Sequence, residues 1–178
     1  MKTTSRARWL LPAGLLAVPA YHAAHATQYM SIAEAQKSAF ADAAVFRERA
    51  PLDPETATAL GAPGWSPQMF EARKDDKSLG WLLVDRVIGK AELITYTLAI
   101  DADGAVKSIE ILDYRETHGG EIRLAAWRKQ FVGKTAQAPV KLDQDIKNIS
   151  GATLSSRHVT EGVHRLLQLY DRTLRTAG

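Results

Sequence analysis

Residues 92–112 read Glu-Leu-Ile-Thr-Tyr-Thr-Leu-Ala-Ile-Asp-Ala-Asp-Gly-Ala-Val-Lys-Ser-Ile-Glu-Ile-Leu. From Glu92 to Asp101 the side chains alternate, with Leu93, Thr95, Thr97 and Ala99 on one face and Ile94, Tyr96, Leu98 and Ile100 on the other. A period of two predicts a strand. Asp101-Ala102-Asp103-Gly104 supplies a turn with glycine where a positive φ is needed, and Val106 to Leu112 returns as the hairpin partner. Upstream, Met69 to Arg73 and Trp81 to Ile88 have the same period around the polar turn Lys74 to Ser78, with Gly89-Lys90 as the next break. The centre of the chain is therefore an antiparallel sheet of three or four consecutive strands.

Helical signals flank that sheet. Ser31 followed by Glu34 is a capping box, and Ile32, Ala35, Ala39, Ala43 and Phe46 continue at helical spacing toward Pro51. Asp53, Pro54 and Gly61 mark a short helix from Pro54 to Leu60. Glu121 to Phe131 reads as another short helix, ended by Gly133. Val159, Val163, Leu166, Leu167, Tyr170 and Leu174 form one apolar stripe of a long C-terminal helix. Strands followed by helices, without regular alternation, predict an α+β domain with an antiparallel sheet and packed helices.

With 178 residues the chain supports one core, and it contains no cysteine. Disulfides, thiolate metal sites and cysteine nucleophiles are excluded. The net charge is +3, and Lys2, Arg6 and Arg8 supply all of it; the other 20 Lys and Arg balance the 20 Asp and Glu. Nucleic-acid binding, which needs a basic face, loses its support. The three basic residues precede an apolar run from Trp9 to Ala20 and then Ala24-His25-Ala26, the three regions of a secretory signal. The run is shorter than the ~20 residues of a membrane span and is interrupted by Pro12 and Pro19. The expected division is thus a signal peptide at 1–26, an N-terminal helical extension at 27–67 and a main domain at 68–178. The expected location is periplasmic or otherwise extracytoplasmic, at the inner membrane if the leader stays attached.

The chemistry concentrates at Asn148-Ile149-Ser150-Gly151-Ala152-Thr153-Leu154-Ser155-Ser156, just before the last helix. Backbone N–H groups at a helix start lack partners, and the helix dipole adds positive charge there, so a phosphate binds readily. Gly151 and Ala152 allow close approach, and Ser150, Thr153, Ser155 and Ser156 bring hydroxyls to the same point. From this pattern alone an ordinary N-cap is the commoner reading, because Ser and Thr are the usual capping residues.

Ser150-Gly151-Ala152-Thr153, with Ser155 and an amphipathic helix after it, resembles the flavinylation motif of the FMN-binding domain family. That family includes subunits of the Rnf and sodium-pumping quinone-reductase complexes and small exported proteins. The Gly80-Trp81 strand, the hairpin through Asp103-Gly104 and the loop Glu116-Thr117-His118-Gly119-Gly120 fall where the family has its sheet and flavin-proximal loop, and the resemblance spans roughly 70–170. It implies FMN esterified through its phosphate to the Thr153 hydroxyl by a flavin transferase. The resemblance implies Ser150, Gly151, Ala152, Leu154, Ser155, His118, Gly119 and Gly120 as the accompanying binding residues. It further implies an electron carrier between a membrane redox protein or cytochrome and another extracytoplasmic acceptor, with no catalytic acid, base or nucleophile. Two positions depart from the family pattern: Lys147 stands where many members are acidic, and His118-Gly119-Gly120 replaces a common Pro-Gly pair. A module holding FMN or another phosphate ligand non-covalently is the alternative. A reductase of its own is disfavoured, because no Gly-x-Gly-x-x-Gly fingerprint for a second nucleotide is present.

The remaining candidates have plainer readings. The resemblance makes His118 a candidate to hydrogen-bond a flavin edge, although a loop histidine is more often solvated. His158 and His164, six apart on a helix, are not a metal pair and read as surface. Trp81 and Trp127 read as core rather than flavin-stacking, and Lys134 and Arg123 are candidates to assist the phosphate, although solvated positive charges are the commoner explanation.

Overall fold

A computed structural model describes residues 27–175. The leader expected at 1–26 lies outside the described residues. Six antiparallel strands form one sheet in the order β1-β6-β5-β4-β3-β2. They are β1 (Thr27–Gln28), β2 (Val45–Glu48), β3 (Gln68–Lys74), β4 (Lys77–Ile88), β5 (Leu93–Asp101) and β6 (Val106–Tyr114). The four central strands are consecutive hairpins, as the alternation at 69–112 predicts. The α+β class with an antiparallel sheet is what the chain adopts.

Both faces of β5 are covered, which explains why both of its residue sets are apolar or small. Ile94, Tyr96, Leu98 and Ile100 point into the main core with α4 (Thr153–Leu169), whereas Ala99 packs under α1 (Ile32–Ala39) beside Ala35, Ala39 and Phe40. The apolar stripe of α4 is buried throughout, and the helix continues through a wider turn at Tyr170–Leu174. Gly162 lies where α4 crosses the sheet; a Cβ there would come within 2.2 Å of the Tyr96 hydroxyl. Only glycine permits that crossing. The adjoining Asp85 carboxylate, 3% exposed, accepts from Tyr96 Oη and from Trp65 Nε1, each at 2.8 Å. This pins the loop after α2 (Pro54–Ala59) to the sheet.

Two helical expectations are shortened. The Ser31–Glu34 capping box forms, but α1 ends at Ala39, and Val45–Glu48, expected to extend the helix through Phe46, pairs as a strand with Phe70–Arg73. The 27–67 segment is thus not only helical: its two strands occupy the two edges of the sheet. The helix expected over 121–131 is broken into a 3-10 turn Gly120–Arg123, α3 (Ala125–Arg128) and a second 3-10 turn Lys129–Phe131. Burial of Ile122, Trp127 and Phe131 in the main core sets these breaks, because no single straight helix faces all three inward.

Candidate functional site

The last turn before α4 is built by Asn148. Its Oδ1 accepts from Ile149 N at 2.7 Å and from the Ser156 hydroxyl at 2.9 Å, folding the Ser150–Ala152 turn back onto the helix. Ser156 also donates toward the carbonyls of Ala152 and Thr153. Gly151 takes φ +83 in this turn. The helix begins at Thr153 behind Ala152, and no side chain caps it. The plain N-cap reading is therefore overturned: the buried Ser156 hydroxyl is turned back to Asn148 and the turn backbone, so it satisfies none of the starting N–H groups. No acidic residue occupies the first turn. Among the described residues the N–H groups of Thr153, Leu154 and Ser155 and the hydroxyl of half-buried Thr153 have no hydrogen-bond partner. An uncapped helix start with its dipole unopposed attracts an anion.

Opposite this turn lies the loop after β6. Gly119, at φ +87, presses against α4: a Cβ there would stand 2.7 Å from Ala152 Cβ and 2.7 Å from the Tyr114 hydroxyl. Glu116 anchors the other end of the loop, accepting from Ala91 N at 2.7 Å and Glu92 N at 3.0 Å in the β4–β5 turn. Partial burial pushes the Glu116 carboxyl up. The N–H groups of Glu92, Ala91 and Lys90 and the Lys90 ammonium outweigh that and hold it below the ordinary carboxylate value.

Two clefts flank the Thr117-His118 segment and meet at Gly151. One, of about 330 Å³, has Thr153, Leu154 and Ser155 on one wall and Lys90, Glu116 and His118 on the other. The second, of about 500 Å³, runs over Gly119, Gly120, Arg123 and Leu124 to Ser150. Both fall within the range of ligand pockets, about 300–1,000 Å³. Leu154 is 42% exposed and Leu124 58% exposed, so each cleft presents an apolar side chain to solvent.

All nine residues singled out from the sequence line one cleft or the other: Thr153, Ser150, Gly151, Ala152, Leu154, Ser155, His118, Gly119 and Gly120. His118 is exposed, with Nδ1 2.9 Å from the Thr117 hydroxyl. Lys90, Glu121 and Leu124 were not anticipated. The Gly89-Lys90 break was a visible signal for Lys90, whereas nothing local distinguishes Leu124. Lys134 is not available to a phosphate, because it pairs with Asp145 at 2.7 Å and secures the connecting segment. Arg123 lines the second cleft and stacks over the Tyr29 ring at 4.1 Å. Trp81 and Trp127 are core, as expected. His158 and His164 are half-buried rather than surface; His158 Nδ1 lies 2.6 Å from the Ile88 carbonyl oxygen. Among the described residues no cluster of His, Asp or Glu could hold a metal ion, and no helix is long and apolar enough to cross a membrane.

Residues 89–168 match the family model of the FMN-binding domain. Over 91 residues the chain is 32% identical to a subunit of the Na(+)-translocating ferredoxin:NAD(+) oxidoreductase complex of Acetobacterium woodii, covering 46% of this chain and 42% of that protein. Over 106 residues it is 30% identical to the corresponding subunit of the proton-translocating ferredoxin:NAD(+) oxidoreductase complex of Clostridium ljungdahlii, covering 56% and 57%. The chain thus spans about half the length of the curated relatives it matches. A looser likeness is to the crystal structure of Shewanella oneidensis NqrC, at TM-score 0.43 and 13% identity over 76% of this chain and 70% of that one. The resemblance to the FMN-binding domain family holds, and the matched segment contains the flavinylation-like motif, the loop from Glu116 and both clefts.

Proposed function

We propose that this chain holds FMN through a phosphoester to Thr153 and carries electrons in an extracytoplasmic redox chain. The observation that carries the reading is the Thr153 hydroxyl, half-buried and without a partner, in the first turn of an uncapped helix and on the wall of a ligand-sized cleft. A diester at that oxygen keeps one negative charge. The N–H groups of Thr153, Leu154 and Ser155 and the dipole of a 17-residue helix are placed to stabilise it. Leu154 and Leu124 offer apolar surface to a ring system, and the loop Thr117–Gly120 offers backbone and His118 polar groups along its edge.

FMN, when bound, supplies transfer of one or two electrons. The protein's part is attachment, orientation and control of water. Ester attachment prevents loss of the cofactor where it cannot be resupplied. Residues 68–178 serve as the flavin domain, and 27–67 is an extension that supplies the two edge strands of the sheet. The leader 1–26 directs export to the periplasm or a comparable compartment, or holds the chain at the inner membrane if uncut. Maturation uses a flavin transferase, and the electron partners are a membrane redox protein or a cytochrome. Support for a redox role comes from relatives named as subunits of ion-translocating ferredoxin:NAD(+) oxidoreductase complexes.

The test is coexpression of the chain with a flavin transferase, followed by intact mass and in-gel fluorescence after denaturation. The wild type should gain the mass of one FMN moiety and fluoresce in the gel, and Thr153→Ala should do neither. A fluorescent Thr153→Ala band would remove the assignment. The non-covalent reading, which Lys147 at an often acidic position favours, predicts flavin that is retained on a native column and lost on denaturation.

A further inference from the structure

The loop Thr117–Gly120 is the partition between the two clefts, and its attachment to α4 converges on one side chain that lines neither. Tyr114 is the last residue of β6. It is paired with Thr27 on one side and Ile94 on the other, and its ring is buried in the main core. The sheet therefore fixes where its hydroxyl stands. From there it donates to the His118 carbonyl and lies 3.4 Å from the Ser155 hydroxyl in the first turn of α4. Gly119 is pressed against the same oxygen, as the 2.7 Å approach of a built Cβ shows. Burial pushes the Tyr114 phenol up, so the group stays a donor across the ordinary pH range.

We propose that Tyr114 is the positioning residue of this site, its hydroxyl holding the partition loop at a fixed distance from the helix start and so setting the width and wetness of both clefts. The proposal rests on the flavin reading above. Thr153 tethers only one end of the ligand, by its phosphate. The ring end is located by the separation between the loop and α4. Near its middle the loop's specific tie to α4 is the Tyr114 hydroxyl; Glu116 anchors its start to the β4–β5 turn instead. Tyr114 acts through His118 and Ser155, both of which line the first cleft, and not by touching the ligand.

The test is Tyr114→Phe, which keeps the ring in the core and removes only the hydroxyl. Amide hydrogen exchange of the chain without flavin reads the loop directly. Exchange at Ile122 and Leu124, whose N–H groups donate to the Gly119 and Glu121 carbonyls at the end of the loop, should rise about two- to tenfold, the range set by losing one hydrogen bond, with the core strands unchanged. In the flavin-loaded chain, iodide should quench the flavin more readily. The midpoint potential should shift upward, because added water favours the state with more negative charge. Should Tyr114→Phe not fold, Gly119→Ala pushes the loop off from the other side and should move the same amides and the same potential. Loop exchange equal to wild type would overturn the proposal, as would faster exchange with unchanged quenching and potential in the loaded variant. Either result leaves the flavin reading intact. A wild type that takes up no flavin would remove both.

Discussion

Gly119 and Gly151 have nearly the same backbone conformation, φ +87 and +83, but opposite surroundings. A Cβ on Gly151 would meet nothing within 4 Å, whereas one on Gly119 would meet Ala152 Cβ and Tyr114 Oη, both at 2.7 Å. Alanine at either position carries the left-handed backbone penalty of about 1–2 kcal/mol, and each variant stiffens the unfolded chain alike. At Gly119 alone overpacking adds about 1–3 kcal/mol. The difference between the two variants therefore isolates the loop–helix contact and should be about 1–3 kcal/mol against Gly119→Ala. With a urea dependence of about 2 kcal/mol per molar, their unfolding midpoints should differ by about 0.5–1.5 M when followed by far-UV circular dichroism. Tyr114→Phe in the Gly119→Ala background should recover part of the cost, a non-additivity expected for groups in contact. Coincident midpoints, or a larger loss for Gly151→Ala, would show that the loop does not press on the helix start.

Other outcomes follow from the same geometry. Thr153→Ser should keep covalent flavin and Thr153→Val should lose it, as read by in-gel fluorescence, since only the hydroxyl is required. Glu116 is held below its ordinary value of 4.5 in the folded chain. Its stabilising contribution is therefore full above about pH 4.5 and is lost as pH falls through the lower folded value; Glu116→Gln should lose stability less steeply over that window in urea titrations. Asp85→Ala strands the buried Tyr96 Oη and the half-buried Trp65 Nε1 and should destabilise by about 1–4 kcal/mol, against about 1 kcal/mol for Tyr96→Phe, measured by denaturant unfolding.

Local pattern was enough wherever a residue's neighbours in sequence are its partners in space. The alternation of Leu93 to Ile100 reads directly as a strand, and the structure adds that both faces of it are covered. Ser31 with Glu34 and Asp53 with Thr56 form their caps within a few residues, and the Val159–Leu174 stripe follows from helical period alone. The turn Ser150-Gly151-Ala152-Thr153 was also legible as a turn, because small residues, hydroxyls and a following helix mark it without reference to the rest of the fold, whereas His118-Gly119-Gly120 entered only through the family resemblance.

What the tertiary structure decided lies in the contacts between distant segments. Val45–Glu48 continues a helical pattern, yet it becomes a strand because β3 offers an unpaired edge whose hydrogen bonds outweigh a marginal propensity. The hydroxyls around the start of α4 suit a cap, but none caps it, and the Ser156 hydroxyl, inside the helix, turns back to Asn148 eight residues away. Lys90 reaches the cleft only because Glu116, remote in sequence, grips the turn that carries it. Tyr114 looks like one more core residue of a strand, and only the folded chain shows its hydroxyl between His118 and Ser155. Periodicity specifies which face of an element is apolar; it carries no information about which polar group another segment will bring to it.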